Sequence, residues 1–147
     1  MRHCYMLFHR RFVEIDKERD RIHATILCGF FSSRKKCKET LPEYLKQPGF
    51  IDYPDDFHIE KVTANIDDYN KIPGEFEQSV FFLSHEWYDG VYDHITRLGY
   101  YSTKKLAENA MKSYGLESDF LEHLDDFNIG EYDIDDREWT EGFFTWA

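Results

Sequence analysis

Apolar and polar positions follow one order twice along the chain. Residues 4–8 and 80–83 are dense in aromatic and β-favouring side chains, which predicts a first strand in each half. Polar loops follow over 16–21 and over 88–93, the latter containing Asp89-Gly90. Second strands are predicted over 22–31 and 94–101. Ser33 and Thr103 then stand where helix N-caps belong. Leu106, Ala107, Ala110, Met111 and Tyr114 recur at helical spacing, with Gly115 as the stop. The first helix contains Pro42 inside a Thr40-Leu41-Pro42-Glu43 capping pattern, so a kink or restart is expected there, with Pro48-Gly49 as its end. Third strands are predicted over 57–64 and 127–134. In the second of these, Phe127, Ile129 and Glu131 alternate with Asn128, Gly130 and Tyr132.

The two halves also match residue by residue. Gly29-Phe30-Phe31-Ser32-Ser33-Arg34-Lys35 aligns with Gly99-Tyr100-Tyr101-Ser102-Thr103-Lys104-Lys105, an offset of 99 − 29 = 70. The same offset carries Tyr44 onto Tyr114, Phe50 onto Phe120, Asp55-Asp56-Phe57 onto Asp125-Asp126-Phe127, and Tyr69 onto Trp139. Upstream, Leu7-Phe8-His9 aligns with Leu83-Ser84-His85 at an offset of 85 − 9 = 76, so the first hairpin is longer by 76 − 70 = 6 residues. One strand-strand-helix-strand unit is too small to bury its own sheet comfortably. The expected fold is therefore α+β: a tandem ββαβ duplication with about six mostly antiparallel strands and two main helices, packed as a pseudo-two-fold pair. The repeats occupy 1–73 and 74–147 of one compact domain, joined through the turn-forming Asn70-Lys71-Ile72-Pro73-Gly74-Glu75.

Composition changes this picture in one respect. The 13 Phe and 10 Tyr take much of the core role that Leu and Val usually have. Charge changes it more. Residues 1–73 hold 13 Lys and Arg against 12 Asp and Glu, net +1, whereas 74–147 hold 5 against 17, net −12. The overall −11 argues against nucleic-acid binding and against adhesion to anionic membranes, and it favours a cationic protein partner. Within residues 117–141 there are eleven acids and one base, Arg137. The candidate partner-binding residues are accordingly Asp125, Asp126, Asp133, Asp135, Asp136, Glu138 and Glu141, with Trp146 as an aromatic anchor in the tail. Trp139, aligned with Tyr69, is expected in the core.

Catalytic and metal motifs are missing. His85-Glu86 opens like a metalloprotease motif, but Asp89 stands where the second histidine would be, and no P-loop, GxSxG or GxGxxG occurs. His9 and His85 are equivalent positions that a pseudo-symmetric pair could bring face to face, yet single strand histidines are more often structural. No metal or other cofactor is expected. Asp55-Asp56 and Asp125-Asp126 read as turn and strand-entry chemistry. Arg34, Lys35, Lys36, Lys38, Lys104 and Lys105 read as solvated helix ends. Cys4, Cys28 and Cys37 form an odd set without CxxC spacing, which fits reduced thiols in a cytoplasmic chain. No stretch reaches the length of a membrane span or a signal peptide.

Gly99-Tyr100-Tyr101-Ser102, the helix with Ala107 and Ala110, and Trp139-Thr-Glu-Gly-Phe143 resemble a family of short uncharacterised bacterial proteins in which one copy is typical. The second repeat carries most of the pattern; the first lacks the Trp-x-x-Gly-Phe ending. In character, though not in motif, the chain is similar to immunity proteins. The expected function is thus a non-enzymatic inhibitor, a monomer or weak dimer, that neutralises a basic toxin domain such as a nuclease through its acidic residues. The alternatives are a phage-type inhibitor or DNA mimic of a host enzyme, and a small-ligand or metal-binding regulator.

Overall fold

A computed structural model describes residues 1–13, 22–91, 93–140 and 142. The expected α+β fold is present. Strands β1 (His3–Val13) and β2 (Ile22–Phe31), helix α1 (Arg34–Tyr44) and strand β3 (Phe57–Thr63) form the first repeat. Strands β4 (Ser79–Tyr88) and β5 (Asp93–Tyr101), helix α2 (Lys104–Tyr114) and strand β6 (Phe127–Asp133) form the second. Each repeat makes its own three-stranded antiparallel sheet, in the orders β2-β1-β3 and β5-β4-β6. The six strands therefore form two sheets, not one.

Register shows how close the copies remain. Tyr5↔Phe31 corresponds to Phe81↔Tyr101, and both ladders carry a bulge at one place, between Leu7 and Phe8 and between Leu83 and Ser84. The bulged residues are Cys28 and Leu98, each immediately before the glycine of the repeated motif. The 16–21 loop of the first hairpin lies outside the described residues.

Both helices start as their caps dictate, with the Ser33 hydroxyl accepting from the Lys36 N–H and that of Thr103 from the Leu106 N–H. Two expectations about helix ends do not hold. Pro42 neither restarts nor splits α1, which runs unbroken to Tyr44 and closes with a Leu45 N–H bond to the Leu41 carbonyl at 3.0 Å, before Pro48-Gly49 is reached. Losing one N–H in the last turn is offset by the complete burial of Tyr44 and Cys37 on the inner face. Gly115 ends α2 with a helical φ of −64°, so it is not there to supply a left-handed turn.

Each helix packs on one face of its sheet. Leu7, Cys28, Phe31, Cys37, Tyr44 and Phe50 make one core, and Leu83, Tyr101, Ala107, Ala110 and Tyr114 make the other, joined by Phe120, Phe127 and Ile129. Leu7 and Leu83, Phe31 and Tyr101, Cys37 and Ala107, Tyr44 and Tyr114, and Phe50 and Phe120 are equivalent positions, so the duplication is preserved in packing as well as in sequence, with Ala110 added where the first repeat has Thr40.

The compact units do not follow the repeats. Unit A comprises Cys4–Lys61 and Asp135–Ala147; unit B comprises Met1–His3 and Val62–Ile134. The segment after β6 therefore packs within the unit of the first repeat, and the segment after β3 within the unit of the second. These two segments are called arms below.

Candidate functional site

The repeated Gly-aromatic-aromatic-Ser motif is the dock for an arm. In unit A, Asp135 sits in the left-handed region (φ 71°) and its N–H donates to the Phe30 carbonyl at 2.8 Å. Its carboxylate accepts from the Ser32 N–H (2.9 Å) and hydroxyl (3.0 Å) and from Lys36 Nζ (2.9 Å). In unit B, Asn65 (φ 65°) does the same, with its N–H on the Tyr100 carbonyl and its amide oxygen accepting from the Ser102 N–H. Gly29 lets the arm in: a Cβ there would lie 2.6 Å from the Asp136 carbonyl oxygen. The helix tyrosines close the dock. The Tyr44 hydroxyl lies 2.8 Å from the Cys28 carbonyl and 2.6 Å from that of Glu138, and the Tyr114 hydroxyl accepts from the Asp68 N–H.

This fixes where the candidate acids stand. Asp135 is committed to Ser32 and Lys36, and the main chain of Glu138 is held at both ends, its N–H on the Cys28 carbonyl. Asp133 accepts from the Ser79 hydroxyl, and Asp126 lies 3.3 Å from His123 Nδ1. Asp125 and Asp136 are exposed. Asp125, Asp126 and Asp133 belong to unit B, and Asp135, Asp136 and Glu138 to unit A, so a run continuous in sequence is divided between the units. Glu141 and Trp146 lie outside the described residues. Trp139 corrects the sequence reading: it is half exposed at φ 57°, because the arm turns outward beyond its latch, and its counterpart Tyr69 is likewise half exposed.

Charge asymmetry survives the exchange of arms. Counted by unit, B holds 6 Lys and Arg against 15 Asp and Glu, net −9, and A holds 12 against 14, net −2. The acids of unit B are densest after α2, where Glu117, Asp119, Glu122, Asp125 and Asp126 occur with no Lys or Arg among residues 117–126. Sequence reasoning missed what lies among them. Leu116, Leu121 and Leu124 are 83%, 54% and 52% exposed, an unusual concentration of solvent-facing leucine. Leu116 and Leu124, with Met111, Lys112, Gly115 and Phe127, line a surface groove of about 450 Å³. The signal was available in the 70-residue register, where Lys46 and Pro54 are the counterparts of Leu116 and Leu124.

The groove wall is held from below. His85 Nε2 donates to the His123 carbonyl at 2.8 Å, and the Trp87 indole is stacked between His94 (4.2 Å) and His123 (4.0 Å). These contacts fix the short 3-10 helix Leu121–Asp126, which is kinked at His123. His9 and His85 are built into their own units in the same way. Each lies edge-on to two phenylalanines of its own unit, Phe50 and Phe57 or Phe120 and Phe127, and each bonds a carbonyl there. Burial pushes the His9 pKa below its ordinary value, against the opposing effect of the hydrogen bond that its ring donates to the Tyr53 carbonyl.

No three or more His, Cys, Asp or Glu side chains among the described residues are placed to hold a metal ion. The three cysteines are free and buried, and burial drives their thiols up to about 12 for Cys4 and Cys28 and about 11 for Cys37, far from thiolate character at neutral pH. No helix among the described residues is long and apolar enough to cross a membrane. Comparison with protein-family models, curated proteins and solved structures gives no match for the chain.

Proposed function

We propose that the chain is a partner-binding inhibitor of the immunity type, which neutralises a cationic toxin domain, a nuclease in the leading case, by covering its basic cleft. The observation that carries this reading is the acid surplus of unit B, net −9 against −2, concentrated on the exposed segment after α2. Like charges gathered on one small unit repel one another, and a basic partner relieves that repulsion while being steered to the site.

Affinity capture on the intact chain tests this. A basic nuclease-type domain is expected to be retained and inhibited. Retention is expected to weaken as salt rises from about 0.1 M to about 1 M, which shortens the screening length from roughly 10 Å to roughly 3 Å. A combined Asp119→Asn, Glu122→Gln, Asp125→Asn variant that retains and inhibits the domain undiminished overturns the acidic reading. Capture of a nucleic-acid enzyme that is not a toxin favours the DNA-mimic alternative instead.

A further inference from the structure

We infer that the groove beside α2 is an anchor pocket for a large apolar side chain carried on a basic segment of a protein partner. This deepens the inhibitor reading above and rests on it for the identity of the partner.

Gly115 carries the inference. Its φ of −64° is available to every residue, so the backbone does not ask for glycine. Its Cβ would lie 3.3 Å from the Met111 carbonyl oxygen and 3.5 Å from Leu124 Cδ2, that is, within the groove mouth. The counterpart in the first repeat is Leu45, which is half buried. Where the first repeat has a leucine side chain, the second has none, and a side chain at 115 would press directly on the groove wall at Leu124. At the same time the polar or conformationally rigid counterparts Lys46 and Pro54 are replaced by Leu116 and Leu124. Gly115 leaves the groove mouth without the side chain that Leu45 supplies in the first repeat, and Leu116 and Leu124 give the groove its apolar walls.

Charge selects the occupant. The exposed acids Asp119, Glu122 and Asp125 lie beside the apolar walls in sequence with no Lys or Arg among residues 117–126, and Lys112 is the one charged residue of the lining itself. An apolar centre inside a charged rim is the arrangement in which a single anchor residue contributes most of the affinity. The complementary segment bears Lys or Arg on either side of a Leu, Phe or Trp. The rim suits a cationic segment and opposes an acidic one.

Two fluorescent peptides of one length test the groove on the full chain: a Leu-Lys amphipathic helix, and the same sequence with every Leu replaced by Ser. The leucine peptide is expected to bind at least tenfold more tightly. Gly115→Leu, which copies the first repeat and keeps helical φ, is expected to abolish that difference, with circular dichroism checking that the variant is folded. Leu124→Ser is expected to reduce it by a similar factor, and the Met111 methyl resonance is expected to move with the leucine peptide alone. Equal binding of the two peptides, or full discrimination retained by a folded Gly115→Leu chain, overturns the anchor pocket. Those results leave salt-dependent capture of a basic domain untouched. Failure of capture, in turn, leaves the peptide comparison interpretable, so the two readings fail separately.

Discussion

Replacing Asp135 separates the two things that this residue does for the arm of unit A. Its carboxylate accepts from the Ser32 N–H, the Ser32 hydroxyl and Lys36 Nζ at 2.9–3.1 Å, and its backbone lies at φ 71°. A hydrogen bond to a charged acceptor contributes about 1.5–3 kcal/mol when well shielded. The side chains of Asp135 and Lys36 are 35% and 51% exposed, so the ion pair itself is discounted to below about 1 kcal/mol. Alanine at positive φ adds about 1 kcal/mol of strain that Asp and Asn largely escape. Asp135→Ala is thus expected to cost about 2–4 kcal/mol. Asp135→Asn, which copies the working latch of Asn65, is expected to cost about 1 kcal/mol or less. Urea unfolding of both variants, followed by near-UV circular dichroism, measures the difference. Burial would raise the Asp135 pKa, but the Ser32 N–H and Lys36 hold it below 3.8. Its contribution is therefore complete above pH 3.8 and is lost as pH falls from there through the native value; the Asn variant lacks that loss. Equal destabilisation by Ala and Asn, or an Ala cost under about 0.5 kcal/mol, refutes the latch.

Three further outcomes follow from the same geometry. Tyr101→Phe removes a buried 2.6 Å bond to Asp67 and is expected to lower stability by about 1–3 kcal/mol in urea titration, whereas the counterpart residue is already Phe31. His9 has a native pKa below 6.5, so the unfolded chain takes up its proton first; stability is expected to fall as pH drops below about 6.5, and His9→Phe, compared by thermal melts, is expected to lose that slope. Cys4, Cys28 and Cys37 are expected to resist a thiol reagent at neutral pH in the native state and to react together once urea unfolds the chain, as absorbance of the released chromophore would show.

Much of this fold is legible in the 70-residue register. Equivalent residues such as Phe50 and Phe120, or Tyr44 and Tyr114, keep their identity because each meets the same helix-on-sheet surroundings. The strand ends were less legible. Strand β1 runs on through Arg10-Arg11-Phe12-Val13, and β4 through His85-Glu86-Trp87-Tyr88, well past the predicted ends at 8 and 83. There the ladder of the hairpin sustains the strand. The arms were not legible at all. Asn65 and Asp135 lie in segments with loop chemistry, and their function depends on a motif dozens of residues away in sequence. Nothing local says in which unit an arm will pack. The groove was hidden for a related reason: exposed leucines look like core material until their burial is known.

The arms also explain what duplication makes possible. Asp135, from the second repeat, meets Lys36 of the first; Asn65, from the first, docks where the second has Leu106 in place of that lysine. Asp67 meets the Tyr101 hydroxyl, while its counterpart Arg137 lies over the Tyr44 ring in a unit where Tyr101 is replaced by Phe31. Each arm is thus matched to the unit it enters, not to the repeat it leaves. In an assembly of two identical chains a change in an arm and a change in its dock would have to suit both copies at once. Within one chain they are independent, and the same independence reaches the surface. Leu45 can stay as a side chain in one copy while Gly115 becomes an opening in the other, and acids can gather beside that opening without lowering the net charge of unit A. The two repeats share a scaffold, and their divergence gathers the acids and the exposed leucines Leu116, Leu121 and Leu124 in unit B.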